Sequence, residues 1–327
     1  MQVIIHIGLH KTATRFLDHE VFRPLRARGV VYNPPEIMQH LRGAMEGDAD
    51  AVARVRQATA DLAAAGTPKL LLSRPGISGD MFDNHADYRD KRDAIKALFP
   101  EARIVLFVRH PPDWLVSAYR QSLVKGAGGP IETFLNFYRG AFREKPAHHV
   151  RGMRNLEALQ LRFLAIHDAY VEAYGAEGVY LFRQEDLRDR PREVRALMER
   201  CLGQDLPSPS GGRTRNRGFS ALAIWLFCGG WRRPSRPTRV RAGRPPLFVR
   251  RYLQRPVRRL RAVFVRHVFD RIAYVDWDLL ARGGMREQLE RHYADESRAL
   301  ARVAAAGLER VSAGADTPEA RTTGTSA

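Results

Sequence analysis

The chain has 327 residues, 44% of them hydrophobic and 9% aromatic, enough for one large α/β domain and too apolar for a disordered chain. Its net charge of +18 points toward anionic ligands or surfaces. Two cysteines, Cys201 and Cys228, form neither a metal spacing nor a disulfide framework, and no run of eighteen apolar residues occurs.

The chain enters a strand at once, without a basic leader, so a soluble cytoplasmic protein is expected, with a peripheral position at a membrane as an option. Val3 to Ile7 is a β-branched run suited to a buried strand. After Gly8, Leu17, Val21 and Leu25 recur four apart, as on one helix face. Ala49 to Ala65 reads as a helix ended by Gly66, Lys69 to Ser73 as the second strand, and Tyr88 to Phe99 as a helix. Ile104 to Val108 is another buried strand, followed by a helix that Pro111 and Pro112 start. Residues 131–175 read as helical, from Phe134, Phe137, Tyr138, Leu156, Phe163 and Tyr170 at core spacing. Val179 to Phe182 is a further strand, Pro191 to Leu202 a helix, and Met285 to Val311 one amphipathic helix. Strands alternating with helices imply a mainly parallel sheet covered on both faces. The expected organisation is one domain over 1–312, with a basic insertion at about 230–268 and a polar tail over 313–327.

Two segments carry chemistry. In the first, His10-Lys11-Thr12-Ala13-Thr14-Arg15 follows the first strand, where free backbone N–H groups and the Lys11 charge suit an anion. Strand, loop and helix alone describe any βα unit; the full Lys-Thr-Ala-Thr run favours phosphate. A common phosphate loop would need a second glycine before the lysine, where His10 stands. In the second, Arg109 ends a buried strand and Ser117 lies eight residues on, so guanidinium and hydroxyl can converge on one anion. A strand-end salt bridge and a solvated serine is the ordinary alternative for that pair.

Together these segments resemble the PAPS-dependent sulfotransferases, where PAPS is 3′-phosphoadenosine 5′-phosphosulfate. The likeness runs from Ile5 to Thr14, with Arg15 where a second Thr or Ser is usual, and again over Arg109 to Ser117. It implies a P-loop-like sulfotransferase fold and PAPS as co-substrate, with 3′-phosphoadenosine 5′-phosphate as product and no metal. It implies that His10 to Arg15 hold the 5′ end, with Lys11 stabilising the leaving phosphate, and that Arg109 and Ser117 hold the 3′-phosphate. Arg213 and Asn216, in a basic segment before a helix, resemble the family's lid over the 3′-phosphate end. Its acceptors imply a hydroxyl or amine of a carbohydrate, glycolipid or small metabolite.

One departure concerns the general base. Many carbohydrate-type members carry Ser-x-Glu after the second strand, but here Pro75 takes the Glu position, and proline accepts no proton. Asp80, Asp83, His85 and His10 are nearby candidates, and His85 has the most suitable unperturbed pKa, although a surface histidine is the more ordinary expectation for it.

The charge is concentrated. No acidic residue falls between Asp205 and Asp270, an interval holding Arg213, Arg215, Arg217 and thirteen arginines from Arg232 to Arg266. From Tyr252 onward Leu253, Val257, Leu260, Phe264 and Val268 recur at three and four, the pattern of an amphipathic helix. Such a helix suits an anionic membrane surface or a polyanionic substrate, and a solvated Arg-rich insertion is the plain alternative. A decayed homologue that binds polyanions or membranes is therefore the second functional expectation. A nucleotide kinase is the third and fits least, since the strand that should end in a metal-holding acid ends in Arg109. Specific nucleic-acid binding is not expected.

Overall fold

A computed structural model describes residues 1–125, 129–144, 155–207, 218–230, 260–261 and 263–315. Its strands are β1 (Gln2–His6), β2 (Val30–Tyr32), β3 (Lys69–Ser73), β4 (Arg103–Val108), β5 (Phe137–Tyr138), β6 (Ala141–Phe142) and β7 (Val179–Arg183). Five of them form one parallel sheet in the order β2-β3-β1-β4-β7, while β5 and β6 make a separate antiparallel pair. The helices that frame the sheet and the site are the short α1 (Thr14–Phe16) and the longer α2 (Pro35–Met45), α3 (Ala49–Ala64), α4 (Tyr88–Leu98), α5 (Pro111–Val124), α6 (Phe163–Tyr174), α7 (Pro191–Leu202), α8 (Ala221–Phe227), α9 (Met285–His292) and α10 (Ala294–Ala315).

Local chemistry sets several of the boundaries. Asp48 accepts from the Ala51 N–H at 3.1 Å and so caps α3, which stops before Gly66 at φ +75°. Pro111 and Pro112 occupy the first turn of α5, where a missing N–H costs nothing. Pro191 opens α7 in the same way, and Gly203 at φ +61° closes it.

The sheet is buried on both faces, which is why its strands are nearly continuous apolar runs. Ile5, Leu70, Leu72, Ile104, Leu106 and Leu181 pack into one core with α2 to α6. The alternate residues Ile4, Leu71, Val105, Phe107 and Phe182 pack into the other with α7 and the segment after α1. The expected class, a parallel α/β sheet with helices on both sides, is what the molecule has.

The connections depart from neighbouring strands in opposite directions. From β1 the chain goes to β2 at one edge, whereas from β4 it goes on to β7 at the other. Since β1 and β4 are paired neighbours, the crevice beyond their C-terminal ends is the topological switch point of the sheet, the usual place for a ligand.

Several expected elements differ. The strand Lys69–Ser73 is the third, because Val30–Tyr32 forms an additional edge strand and Pro35–Met45 a further helix. Residues 131–175 are not one helical stretch: a short turn at Ile131–Phe134 precedes the β5–β6 hairpin, and α6 begins only at Phe163. Asn136, Arg139 and Gly140 all have positive φ there, which no continuing helix tolerates. The C-terminal helix is broken at Tyr293, whose hydroxyl donates to the Ala158 carbonyl at 2.7 Å and accepts from the Leu161 N–H. The expected amphipathic stretch from Tyr252 and the tail lie mostly outside the described residues; 260–261 and 263–272 are described and helical.

Asn33, just past β2 at φ +46°, extends the sheet with its side chain. It donates to the Ser73 carbonyl at 3.1 Å and accepts from the Ser73 N–H at 2.8 Å. Ser73 in turn bonds His6 through Oγ at 2.8 Å, so the pair also holds the end of β1. Asn33→Ala leaves a buried donor and acceptor without partners and is expected to cost about 2–4 kcal/mol of stability. Urea unfolding measures this, and an unchanged midpoint would contradict the role.

Candidate functional site

The turn after β1 is held in an unusual backbone. Gly8, Lys11 and Ala13 have φ of +41°, +70° and +59°, so three residues of six adopt the left-handed region. For Lys11 and Ala13 this conformation is strained, and such strain collects where a turn must present its N–H groups or side chains in one direction. Left-handed residues placed among right-handed ones are also the pattern of anion-binding nests. At Gly8 a Cβ would come 3.0 Å from the His6 ring. Thr12 is fully buried and donates its hydroxyl to the Leu9 carbonyl at 2.5 Å, tying the turn to itself.

The helix after this turn is not what periodicity suggests. After three residues of α-helix the chain widens into a π-type segment (Leu17–Phe22) and then tightens into a 3-10 segment (Arg23–Arg28) around Pro24. Leu17 and Leu25 are buried as expected and Val21 is half-buried. A three-residue helix contributes little macrodipole, so the groups here with the chemistry to attract an anion are the turn's N–H groups and Lys11.

Helix α5 joins this turn to the end of β4. The Trp114 indole N–H donates to the His10 carbonyl at 2.5 Å. Lys11 Nζ donates to Gln121 Oε1 at 3.3 Å. Ile7 N donates to the Val105 carbonyl at 3.1 Å, continuing the β1–β4 ladder to the start of the turn. Ser117 and Gln121 are one helical turn apart on α5, so the face that carries Ser117 is the face that Lys11 meets. Lys11, Arg109 and Ser117 therefore share one edge of the sheet. Trp114 and Gln121 were not singled out in the sequence; the i, i+4 spacing of Gln121 from Ser117 is the signal that points to it.

Arg109 is largely buried, and desolvation lowers its pKa from the usual arginine value. Among the described residues its guanidinium makes no hydrogen bond and no ion pair within 4 Å. The carboxylates nearest it are engaged elsewhere. Asp113 pairs with His110 and Arg286, both at 3.4 Å, and Glu185 accepts from the His110 N–H at 3.0 Å. Ser117 is half-buried, and its hydroxyl also makes no hydrogen bond among the described residues. The Thr14 hydroxyl, at the turn, is buried without a partner. A sequestered cation with two unsatisfied hydroxyls is the donor set expected of a phosphate or sulfate cradle. Arg15 is exposed and lies further along the same turn.

His85 is not a surface histidine. It is 1% exposed, at φ +54° beside Asn84 at the same angle, and its ring lies 5.7 Å from that of His10 and 6.1 Å from that of Trp114. Its Nδ1 lies 3.0 Å from the Ser78 carbonyl, so Nδ1 carries the proton and Nε2 keeps its lone pair. That Nε2 is buried without a partner, as is His10 Nδ1. Burial pushes both His85 and His10 down to about 4, with each other's proximity and Lys11 acting in the same direction on His10. His110 moves the other way: its hydrogen bond to Asp113 raises it. Asp80 caps the short turn before His85, accepting from Phe82 N at 2.9 Å.

Pro75 opens a 3-10 turn (Pro75–Ser78) directly after β3 and offers no proton acceptor, as its sequence position implies. Arg213 and Asn216 lie outside the described residues. Where description resumes, Gly218 sits against Arg120 of α5, and a Cβ there would be 2.8 Å from Arg120 Cδ.

No family model matches the sequence, and no curated protein is significantly similar to it. Among solved structures, a sulfotransferase from Alicyclobacillus acidocaldarius is similar at a TM-score of 0.44 and 16% identity, over 66% of this chain and 87% of that one. The sulfotransferase domain from the curacin biosynthetic pathway is similar at 0.36 and 15%, over 65% and 78%. At such scores a likeness decides nothing about chemistry, and the functional reading rests on this chain's own residues.

The buried histidines make stability depend on pH. Burial holds His6 at about 3 and His85 at about 4, against about 6.5 in an unfolded chain. Below about pH 6.5 the unfolded chain takes up protons that the folded one refuses, so stability falls as pH drops toward 4. The expected slope is about 1.4 kcal/mol per pH unit for each such histidine. In urea titrations across this range, His85→Gln should flatten the slope; an identical slope would show that His85 does not titrate this way.

Proposed function

We propose that this protein transfers a sulfuryl group from PAPS to a hydroxyl or amine of a carbohydrate, glycolipid or small metabolite. The observation that carries the reading is Arg109. A largely buried guanidinium without an ion pair among the described residues, at a sheet switch point and across from a lysine-bearing turn, is matched to an anion. Its position suits the 3′-phosphate, with Ser117 two turns along α5 as a second donor. Thr14 and the N–H groups of residues 12–15 suit the 5′ end. Arg213 and Asn216 are assigned as a lid over the 3′ end, on the likeness of their segment.

When bound, PAPS supplies an activated sulfuryl group and a phosphate that departs with added negative charge. Lys11, held by Gln121, is the preorganised donor aimed at that charge. Transfer also releases the acceptor's proton. His85 Nε2 is a lone pair with its tautomer fixed by Ser78, and it takes that proton in this reading. A pKa of about 4 makes His85 a weak base in the ligand-free site, and nearby phosphates raise it by stabilising the imidazolium. His10 contributes its carbonyl to the Trp114 strut and its ring to the wall beside His85.

Arg109→Ala should lose most of its affinity for 3′-phosphoadenosine 5′-phosphate by calorimetry, with the melting temperature unchanged. ATP, which lacks the 3′-phosphate, should bind weakly to wild type and be indifferent to the substitution. Lys11→Ala should lower the rate of sulfate transfer from labelled PAPS by about a hundred- to thousand-fold. If Arg109→Ala binds the bisphosphate as wild type does, the 3′-phosphate assignment is wrong.

A further inference from the structure

We infer that the helical residues 260–261 and 263–272 dock this protein on an anionic lipid bilayer. Leu260, Val263, Phe264, Val268 and Ile272 are all exposed, Leu260 at 69% and Ile272 at 83%. Val265–Phe269 is a π-type turn, whose wider winding brings Val268 and Ile272 round to the side that carries Leu260 and Val263. Val265, fully buried, and Phe269, packed on the Phe227 ring at 5.0 Å, occupy the other side and fix the helix to the body. Phe264 leans on the same Phe227 ring at 5.6 Å and lies between the two sides, which leaves Leu260, Val263, Val268 and Ile272 as the outward apolar face, with nothing among the described residues to cover it. Scattered exposed apolar side chains are ordinary; four on one face are not.

Further exposed apolar side chains lie on α8, whose Phe227 packs on this helix, and on the segment after it. Trp225 and Trp277 are each more than two-fifths exposed and line the same cavity of about 210 Å³. Leu222 N donates to the Val275 carbonyl at 3.1 Å, which holds these two strips side by side. Aromatic rings at the rim of an apolar strip suit the boundary between water and acyl chains.

Charge selects the partner. The acidic groups nearest the patch are engaged: Asp270 by Ser220, Asp276 by Arg120 and Asp278 by Arg286. Arg271 and Arg282 are exposed. The sequence running into this helix carries eleven arginines from Arg232 to Arg259, with Arg261 and Arg266 following, and no acidic residue. A protein partner would have to supply a large acidic apolar surface, whereas an anionic bilayer presents negative headgroups above hydrocarbon and matches both properties at once.

The inference stands apart from the sulfuryl-transfer reading, since vesicle binding is measured without PAPS and each can fail without the other. Full-length protein should sediment with phosphatidylcholine vesicles that contain phosphatidylglycerol and stay in solution with pure phosphatidylcholine. Binding should weaken as salt is raised. The variant Leu260→Ser with Val263→Ser and Val268→Ser, which alters only exposed side chains, should bind the anionic vesicles at least about tenfold more weakly at unchanged melting temperature. Its affinity for heparin, which reads the arginines alone, should be unchanged. Equal sedimentation of variant and wild type would overturn the inference. So would a wild-type dimer in solution that the same variant converts to monomer, because a second copy would then be the occupant.

Discussion

Parallel pairing of β1 with β4 is the constraint on which the candidate site depends. The two strands are far apart in sequence, and each carries a cationic group just past its C-terminal end. Parallel pairing puts both ends on one edge, and the opposite directions of the outgoing connections leave a crevice between them. Nothing in either turn alone produces a two-sided anion site. The Ile7–Val105 hydrogen bond carries the ladder to the start of the turn, and Trp114 reaches across to the His10 carbonyl. The turn can then hold its strained left-handed residues because it is tied on both flanks.

Inside that crevice, burial sorts the titratable groups by sign. Desolvation keeps His10 and His85 neutral, while contact with Asp113 favours the charged form of His110. The carboxylates are drawn to His110 and Arg286, which leaves the Arg109 charge without a local counterion among the described residues. An arrangement with few mobile charges has little reorganisation to undergo when an anion enters.

Much of this was legible before the structure. Strands β1, β3, β4 and β7 are five or six residues long with apolar runs of three to five at their centres, as strands buried on both faces require. The Lys11 and Arg109 turns follow such runs, so their shared edge could be read from the parallel topology. Edge strand β2 could not, because three residues carry no period, and its end is set by the Asn33 side chain rather than by hydropathy. Phe134, Phe137 and Tyr138 are spaced like a helix, yet positive φ at Asn136 and Arg139 folds the segment into a hairpin. Long-range contacts decide such cases, and Tyr293 is another: its hydroxyl is claimed by the 158–161 backbone, and the C-terminal helix breaks there. Gln121 and Trp114 stayed hidden because their partners lie more than a hundred residues upstream.

The proline at position 75 shapes the loop that holds His85. Proline cannot act as a base, but its fixed φ starts the tight turn whose last residue is Ser78. The Ser78 hydroxyl donates back to the Pro75 carbonyl at 2.8 Å, leaving the Ser78 carbonyl free to accept from His85 Nδ1. That hydrogen bond is what leaves the lone pair on Nε2. On the proposed reading, the basic group has moved from the strand end to a loop residue ten positions later. The turn that Pro75 starts is the same turn that orients the histidine.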